Sequence, residues 1–165
     1  MDKLRDISSQ AHWTVSSSKH NHGVLNLQDP NPQTFWQSEG HQPHQILINF
    51  PTRQLIHTIA LYLNIDTDES YTPCKILIYA GTSKYDKQLC INHVFTTEPR
   101  GWVLLKLMER AHLLCVEFPE NYDGGRNVQV RIARVLAPPV EEERFRKESI
   151  LPFSTQEFFM YDSLR

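Results

Sequence analysis

The residues best equipped for chemistry crowd into one ten-residue stretch, Asp66-Thr-Asp-Glu-Ser-Tyr-Thr-Pro-Cys-Lys75. Asp66, Asp68 and Glu69 supply carboxylate acceptors, Ser70 and Thr72 supply hydroxyls, and Tyr71 adds a flat ring with a polar tip. Pro73 stiffens the exit from the stretch. Carboxylates at this density suit an arginine, which pairs with them through two parallel hydrogen bonds. A carboxylate pair is also the equipment of glycoside hydrolysis, a requirement met by too many sequences to be diagnostic. Taken alone, the stretch reads first as a solvated turn. A second polar block, Pro119-Glu-Asn-Tyr-Asp-Gly-Gly-Arg-Asn127, carries Asn121, Asp123, Arg126 and Asn127 around an Asp-Gly-Gly that signals a hairpin turn.

Other chemistries find less support. His20 with His22, and His41 with His44, each offer two imidazoles, but no third ligand stands at a diagnostic spacing and no H-E-x-x-H occurs. These histidines are expected to be structural or solvent-exposed, and no metal or other cofactor is expected. A nucleophile elbow and a glycine-rich phosphate cradle are both missing, and six glycines leave little room for either. Cys74, Cys90 and Cys115 lack C-x-x-C spacing and read as reduced, buried, small hydrophobes. Cys115, inside Leu113-Leu-Cys-Val-Glu-Phe118, has the opposite of the polar setting that a catalytic thiol needs.

The elements that must hold the two polar blocks are strands. Ile46, Ile48 and Phe50 alternate up to Pro51, and Ile59, Leu61, Leu63 and Ile65 alternate again. Ile76 and Ile78 follow, ending at Tyr79-Ala-Gly81, then 88–95, 102–107, Leu114 to Phe118, and Val128 to Ile132. Short strands at this spacing, without long helical patterns between them, predict an all-β antiparallel sandwich. Loops at one end of a sandwich cluster, so Asp66 to Tyr71 and Asn121 to Asn127 are expected to converge. Earlier in the chain, Trp13 pins a short edge strand, 23–27 makes one helical turn, and Phe35-Trp36 folds a polar loop onto the core.

A length of 165 residues fits one domain with tails. The domain is expected over 1–137, closed by Pro138-Pro139 and followed by a charged linker and tail over 138–165. The net charge of -2 lacks the basic excess that attracts phosphate backbones, so nucleic acid is not an expected partner. No apolar run is long enough to span a bilayer, no membrane partner is expected, and the N-terminal sequence does not resemble a signal peptide. The expected location is nucleus and cytoplasm.

Thr34-Phe-Trp-Gln-Ser38, His41-Gln-Pro-His44 and Asp68-Glu-Ser-Tyr-Thr-Pro73, in this order and spacing, resemble the Doc-homology family of anaphase-promoting complex subunits. Ile7-Ser-Ser-Gln-Ala11 with Trp13 resembles that family's entry into the domain, and Glu157-Phe-Phe-Met-Tyr-Asp-Ser-Leu-Arg165 its tail. The resemblance implies a jelly-roll sandwich of the galactose-binding-like type without catalytic activity. It also implies a role in a ubiquitin ligase, where such domains and a propeller-shaped WD40 coactivator form a co-receptor for the substrate destruction box, a segment built on Arg-x-x-Leu. The implied peptide-binding residues are Asp66, Asp68, Glu69, Ser70 and Tyr71 in one loop, and Asn121, Asp123, Arg126, Asn127, Gln129 and Arg131 in the other. Leu164-Arg165 resembles the family's usual Ile-Arg end and implies docking to a tetratricopeptide-repeat subunit, alongside scaffold subunits. Gly124 stands where the family commonly carries an amide. The rival expectation is a carbohydrate-binding module, because sandwiches of this type often bind sugars, and fold alone does not decide between them. A metal-dependent hydrolase built on the histidine pairs is the remotest alternative.

Overall fold

Two long strands organise the molecule. Aliphatic residues alternate through β4 (His44–Asn64) and β7 (Arg100–Asn121), and the two pair antiparallel from His44↔Phe118 to Asn64↔Arg100. A computed structural model describes residues 3–140, of which Leu4–Ala137 make one compact unit. The remaining strands are β1 (Arg5–Asp6), β2 (His12–Val15), β3 (Trp36–Gln37), β5 (Pro73–Ser83), β6 (Asp86–Val94), β8 (Gln129–Val130) and β9 (Ile132–Ala137).

The sandwich follows from where the neighbours attach. The register of β4 on β7 shifts between Asn49 and Gln54, and again between Ile56 and Thr58. Before these shifts β4 lies between β2 and β7; after them it lies between β9 and β7. The later half of β7 continues to β5 and then β6, while β9 continues to β1. The same two strands therefore serve both layers, β2-β4-β7-β5-β6 and β1-β9-β4-β7, and bend at the bulges to pass from one to the other. Between the layers lie Ile46, Ile48, Ile59, Leu61, Leu63, Ile76, Ile78, Leu114, Val116, Phe118 and Val135, all at most 1% exposed. Burying each such large side chain contributes roughly 1.5–3 kcal/mol.

This is the antiparallel jelly-roll sandwich expected from the sequence, with local differences: the strand expected over Val128 to Ile132 is split between β8 and β9, which pair with different strands, and β5 runs past Tyr79-Ala-Gly81 to Ser83. Residues 45–50 and 59–64 belong to one strand, because Pro51 falls in the exposed bulge, where its missing N–H breaks no ladder bond, while Ile65, expected to end that strand, opens a helical turn instead. Likewise 102–107 and 114–118 are both part of β7, whose corner is taken by Met108 in the left-handed region (φ 51°). Asp123-Gly-Gly125 does not close a hairpin: β8 pairs with β3 through Trp36↔Val130, and the chain crosses by a 3-10 turn at Tyr122–Gly124. Trp13 in β2, the turn at Val24–Leu27 and the buried Trp36 stand as expected. Residues beyond 140, Leu164 and Arg165 among them, lie outside those described.

Candidate functional site

The first polar block is a tightly wound connection between β4 and β5. Asn64 caps a single helical turn, α1 (Ile65–Asp68), its side-chain oxygen accepting the Asp66 N–H at 3.1 Å. Glu69 then turns the chain with φ 50° into a 3-10 turn, Glu69–Tyr71. The second block leaves β7 at Asn121, and its turn carries Asp123 at φ 54° and Gly124 at φ 68°. Each loop thus holds an exposed acid, Glu69 or Asp123, in a conformation that costs a non-glycine residue roughly 1–2 kcal/mol and that only surrounding packing maintains.

That packing is the contact between the loops themselves. Pro73 and Asn121 are register partners, and the Tyr122 N–H donates to the Thr72 carbonyl at 3.0 Å. Gly125 lies so close that a Cβ there would sit 1.8 Å from the Ser70 carbonyl oxygen, a spacing that admits only glycine. Arg131 clamps the first loop from below. Its guanidinium meets both Asp68 oxygens, at 2.6 and 3.2 Å, donates to the Pro32 carbonyl at 2.7 Å, and lies 5.1 Å from the centre of the Phe35 ring. Phe35 in turn stacks on His22 at 4.3 Å.

The second loop is tied as firmly. The Asn121 side-chain amide donates to the Asn127 carbonyl at 2.7 Å, and Ser38 Oγ accepts the Val128 N–H at 2.9 Å. The buried His44 faces the Arg126 carbonyl with Nε2, which must therefore carry the hydrogen and donate it. Gln129 donates to Gln37 at 2.7 Å across the β3-β8 pair.

The eleven loop residues expected from the sequence therefore divide in three. Glu69, Tyr71, Asp123 and Arg126 are exposed, with Ser70 and Asn127 half-buried beside them, and together they form the surface of the joined loops. Asp68, Asn121 and Gln129 are buried, and Arg131 is spent on Asp68, Pro32 and Phe35. The expectation that these four face a ligand is corrected: they build the platform. Asp66 is exposed but held by Arg100, both carboxylate oxygens lying within 3.1 Å of Nε, and this pairing keeps Arg100 more firmly protonated. Arg100, Ser38, Pro32 and Phe35 were not identifiable as parts of this site from loop composition. The one available signal was the Gly124-Gly125 pair, whose second member marks the close approach.

The histidine pairs do not assemble a ligand set, because His22 is stacked on Phe35 and His44 is bonded to Arg126. Among the described residues no group of three or more His, Cys, Asp or Glu is placed to hold a metal ion. All three cysteines are free. Burial pushes the Cys115 thiol up to about 11, which suits a core residue and not a nucleophile. Cys74 and Cys90 are half-buried, more open than expected, and burial raises their thiols also.

Comparison with known proteins adds to this geometry. A family model described as anaphase-promoting complex, subunit 10, matches residues 1–163. A Dictyostelium discoideum protein named anaphase-promoting complex subunit 10 is 36% identical over 165 residues, covering 97% of this chain and 86% of its own. The Homo sapiens protein of that name is 34% identical over 168 residues, covering 98% and 89%. Among solved structures, a family 32 carbohydrate-binding module of Clostridium perfringens NanJ in complex with galactose superimposes with a TM-score of 0.68 over 81% of this chain and 99% of that one. At 14% identity this likeness concerns the fold alone.

Proposed function

The chain belongs to the anaphase-promoting complex subunit 10 family, and from that premise we propose that it is a non-catalytic substrate-recognition subunit of that ubiquitin ligase, reading the substrate destruction box together with a WD40 coactivator. The observation that carries this reading is the junction of the two loops. Gly125 against Ser70, and Tyr122 against Thr72, make one continuous surface out of segments that are far apart in sequence.

The chemistry of that surface suits an Arg-x-x-Leu segment. Glu69 and Asp123 are exposed carboxylates for the arginine, with no internal partner among the described residues, and Tyr71, 39% exposed, offers a ring for an aliphatic side chain. Because both acids sit on backbone that is already strained and held, binding requires little ordering of the loops. A coactivator holding the other side of the same peptide raises its effective concentration, so each substrate stays longer and receives more ubiquitin. We place the tetratricopeptide-repeat and scaffold subunits at the remaining surfaces, with Leu164-Arg165 as the docking end and the nucleus and cytoplasm as the site of action. The carbohydrate-binding alternative rests on shared fold alone.

Double substitution Glu69→Gln with Tyr71→Ala tests the reading, because both side chains are exposed and their loss leaves the core intact. Destruction-box peptide binding in the assembled ligase with coactivator should weaken about tenfold, equivalent to about 1.4 kcal/mol. Ubiquitin chains on destruction-box substrates should shorten while the variant still co-purifies with the complex. Unchanged chain length would count against these loops as the site.

A further inference from the structure

At the rim opposite the joined loops, roughly 25 Å away along β5 at the usual rise per residue, a cavity of about 260 Å³ opens between the β4 bulge, the end of the β5-β6 hairpin and the corner of β7. Its lining includes Arg53, Lys87, Arg110 and His112, with Asp86 and Glu109 as the acids. Several of these are already engaged. Asp86 accepts the Thr82 hydroxyl at 2.8 Å, and Lys87 donates to the Lys84 carbonyl at 2.7 Å while lying 5.3 Å from the centre of the Tyr79 ring. Arg110 is different: its Nη2 is buried and has no hydrogen-bond partner. Neither Arg53 nor Arg110 forms an ion pair among the described residues, although the cavity brings them together.

A guanidinium donor removed from water and left unpaired is unfavourable, and an oxyanion is the group that satisfies it best, through two parallel charge-assisted bonds. Arg53 reaches the same cavity from the exposed bulge after Pro51, and His112 adds a further donor from β7. We propose that this far-rim pocket is an oxyanion site that takes a phosphate or carboxylate group. Arg110 is its inner donor and Arg53 its outer one. The site is separate from the joined loops and does not depend on the function proposed for them.

The test is thermal unfolding of the full chain in sodium chloride, sodium acetate and sodium phosphate at equal pH and ionic strength, for the native protein and for Arg110→Met and Arg53→Gln. Phosphate raises Tm in most proteins by exclusion from their surfaces, so the quantity read is the part of the shift that saturates with concentration and is lost in the variants. At ten times the dissociation constant, that part lowers the apparent unfolding constant about tenfold. Arg110→Met should melt in chloride no lower than the native protein, because it removes an unpaired buried donor, and should lose the saturable shift; Arg53→Gln should reduce it. A saturable shift in phosphate alone marks the pocket as selective for phosphate groups, and an equal shift in acetate shows that it takes carboxylates as well. No saturable shift in either salt, or the same shift in both variants as in the native protein, overturns the proposal.

Discussion

Gly125→Val is expected to destabilise the domain by about 3 kcal/mol or more, because it forces backbone against backbone where ordinary overpacking of mobile side chains costs about 1–3 kcal/mol. The valine Cβ would begin 1.8 Å from the Ser70 carbonyl oxygen, and neither loop can yield. Ser70 is fixed between the left-handed Glu69 and the paired Thr72, and Gly125 is fixed by its own N–H to the Tyr122 carbonyl at 3.1 Å. Urea unfolding should show the loss as a lower midpoint with an unchanged slope. Gly124→Ala is the control. Its backbone is left-handed (φ 68°), but an added Cβ meets nothing within 4 Å, so the cost is only the roughly 1–2 kcal/mol of the conformation. A Gly125 variant no less stable than the Gly124 variant would mean that the loops do not meet as described.

The second large effect is expected at Asp68→Ala. The carboxylate is 1% exposed and its partner Arg131 is 11% exposed, so truncation leaves a guanidinium in a poorly hydrated place with only the Pro32 carbonyl to receive it. Removing one member of such a pair costs about 3–5 kcal/mol, whereas replacing both by apolar groups of similar volume is often close to neutral. The double variant Asp68→Leu with Arg131→Met should therefore be more stable than Asp68→Ala alone. Equal loss in single and double variants would instead assign the effect to Arg131 packed over Phe35. Either way the residues concerned lie beneath the proposed binding surface, and their contribution is to hold Glu69 and Tyr71 in place.

The sequence revealed the larger features more readily than the finer ones, for physical reasons. Strand alternation marks which residues are buried, and so the sandwich, the core residues from Ile46 to Ile132 and the inward Trp36 were readable, whereas β9 beyond Ile132 was not. Alternation continues through a bulge as well as it restarts after a turn, so nothing in the pattern around Pro51 distinguished one bent strand from two. Glycine has two uses, positive φ and close approach, that look identical as letters. Gly124 serves the first and Gly125 the second, and the pair therefore passed for a hairpin turn. The convergence of the loops was foreseeable from sandwich geometry. Which of three neighbouring carboxylates points inward was not, because that is set by a four-residue helical turn capped by Asn64, whose phase composition does not disclose. Arg53 and Arg110 went unnoticed because only the bend in β4 and β7 brings them to one cavity.

Photo-crosslinking tests the central claim most directly, using a destruction-box peptide that carries a benzophenone beside its arginine, bound to the assembled ligase with its coactivator. Crosslinks are expected on this chain within both 65–72 and 121–127, and the Glu69→Gln with Tyr71→Ala variant should need about tenfold more peptide to give them. Crosslinks confined to one loop, or found on the rim around Arg53 and Arg110, would contradict a peptide site built from the two loops together.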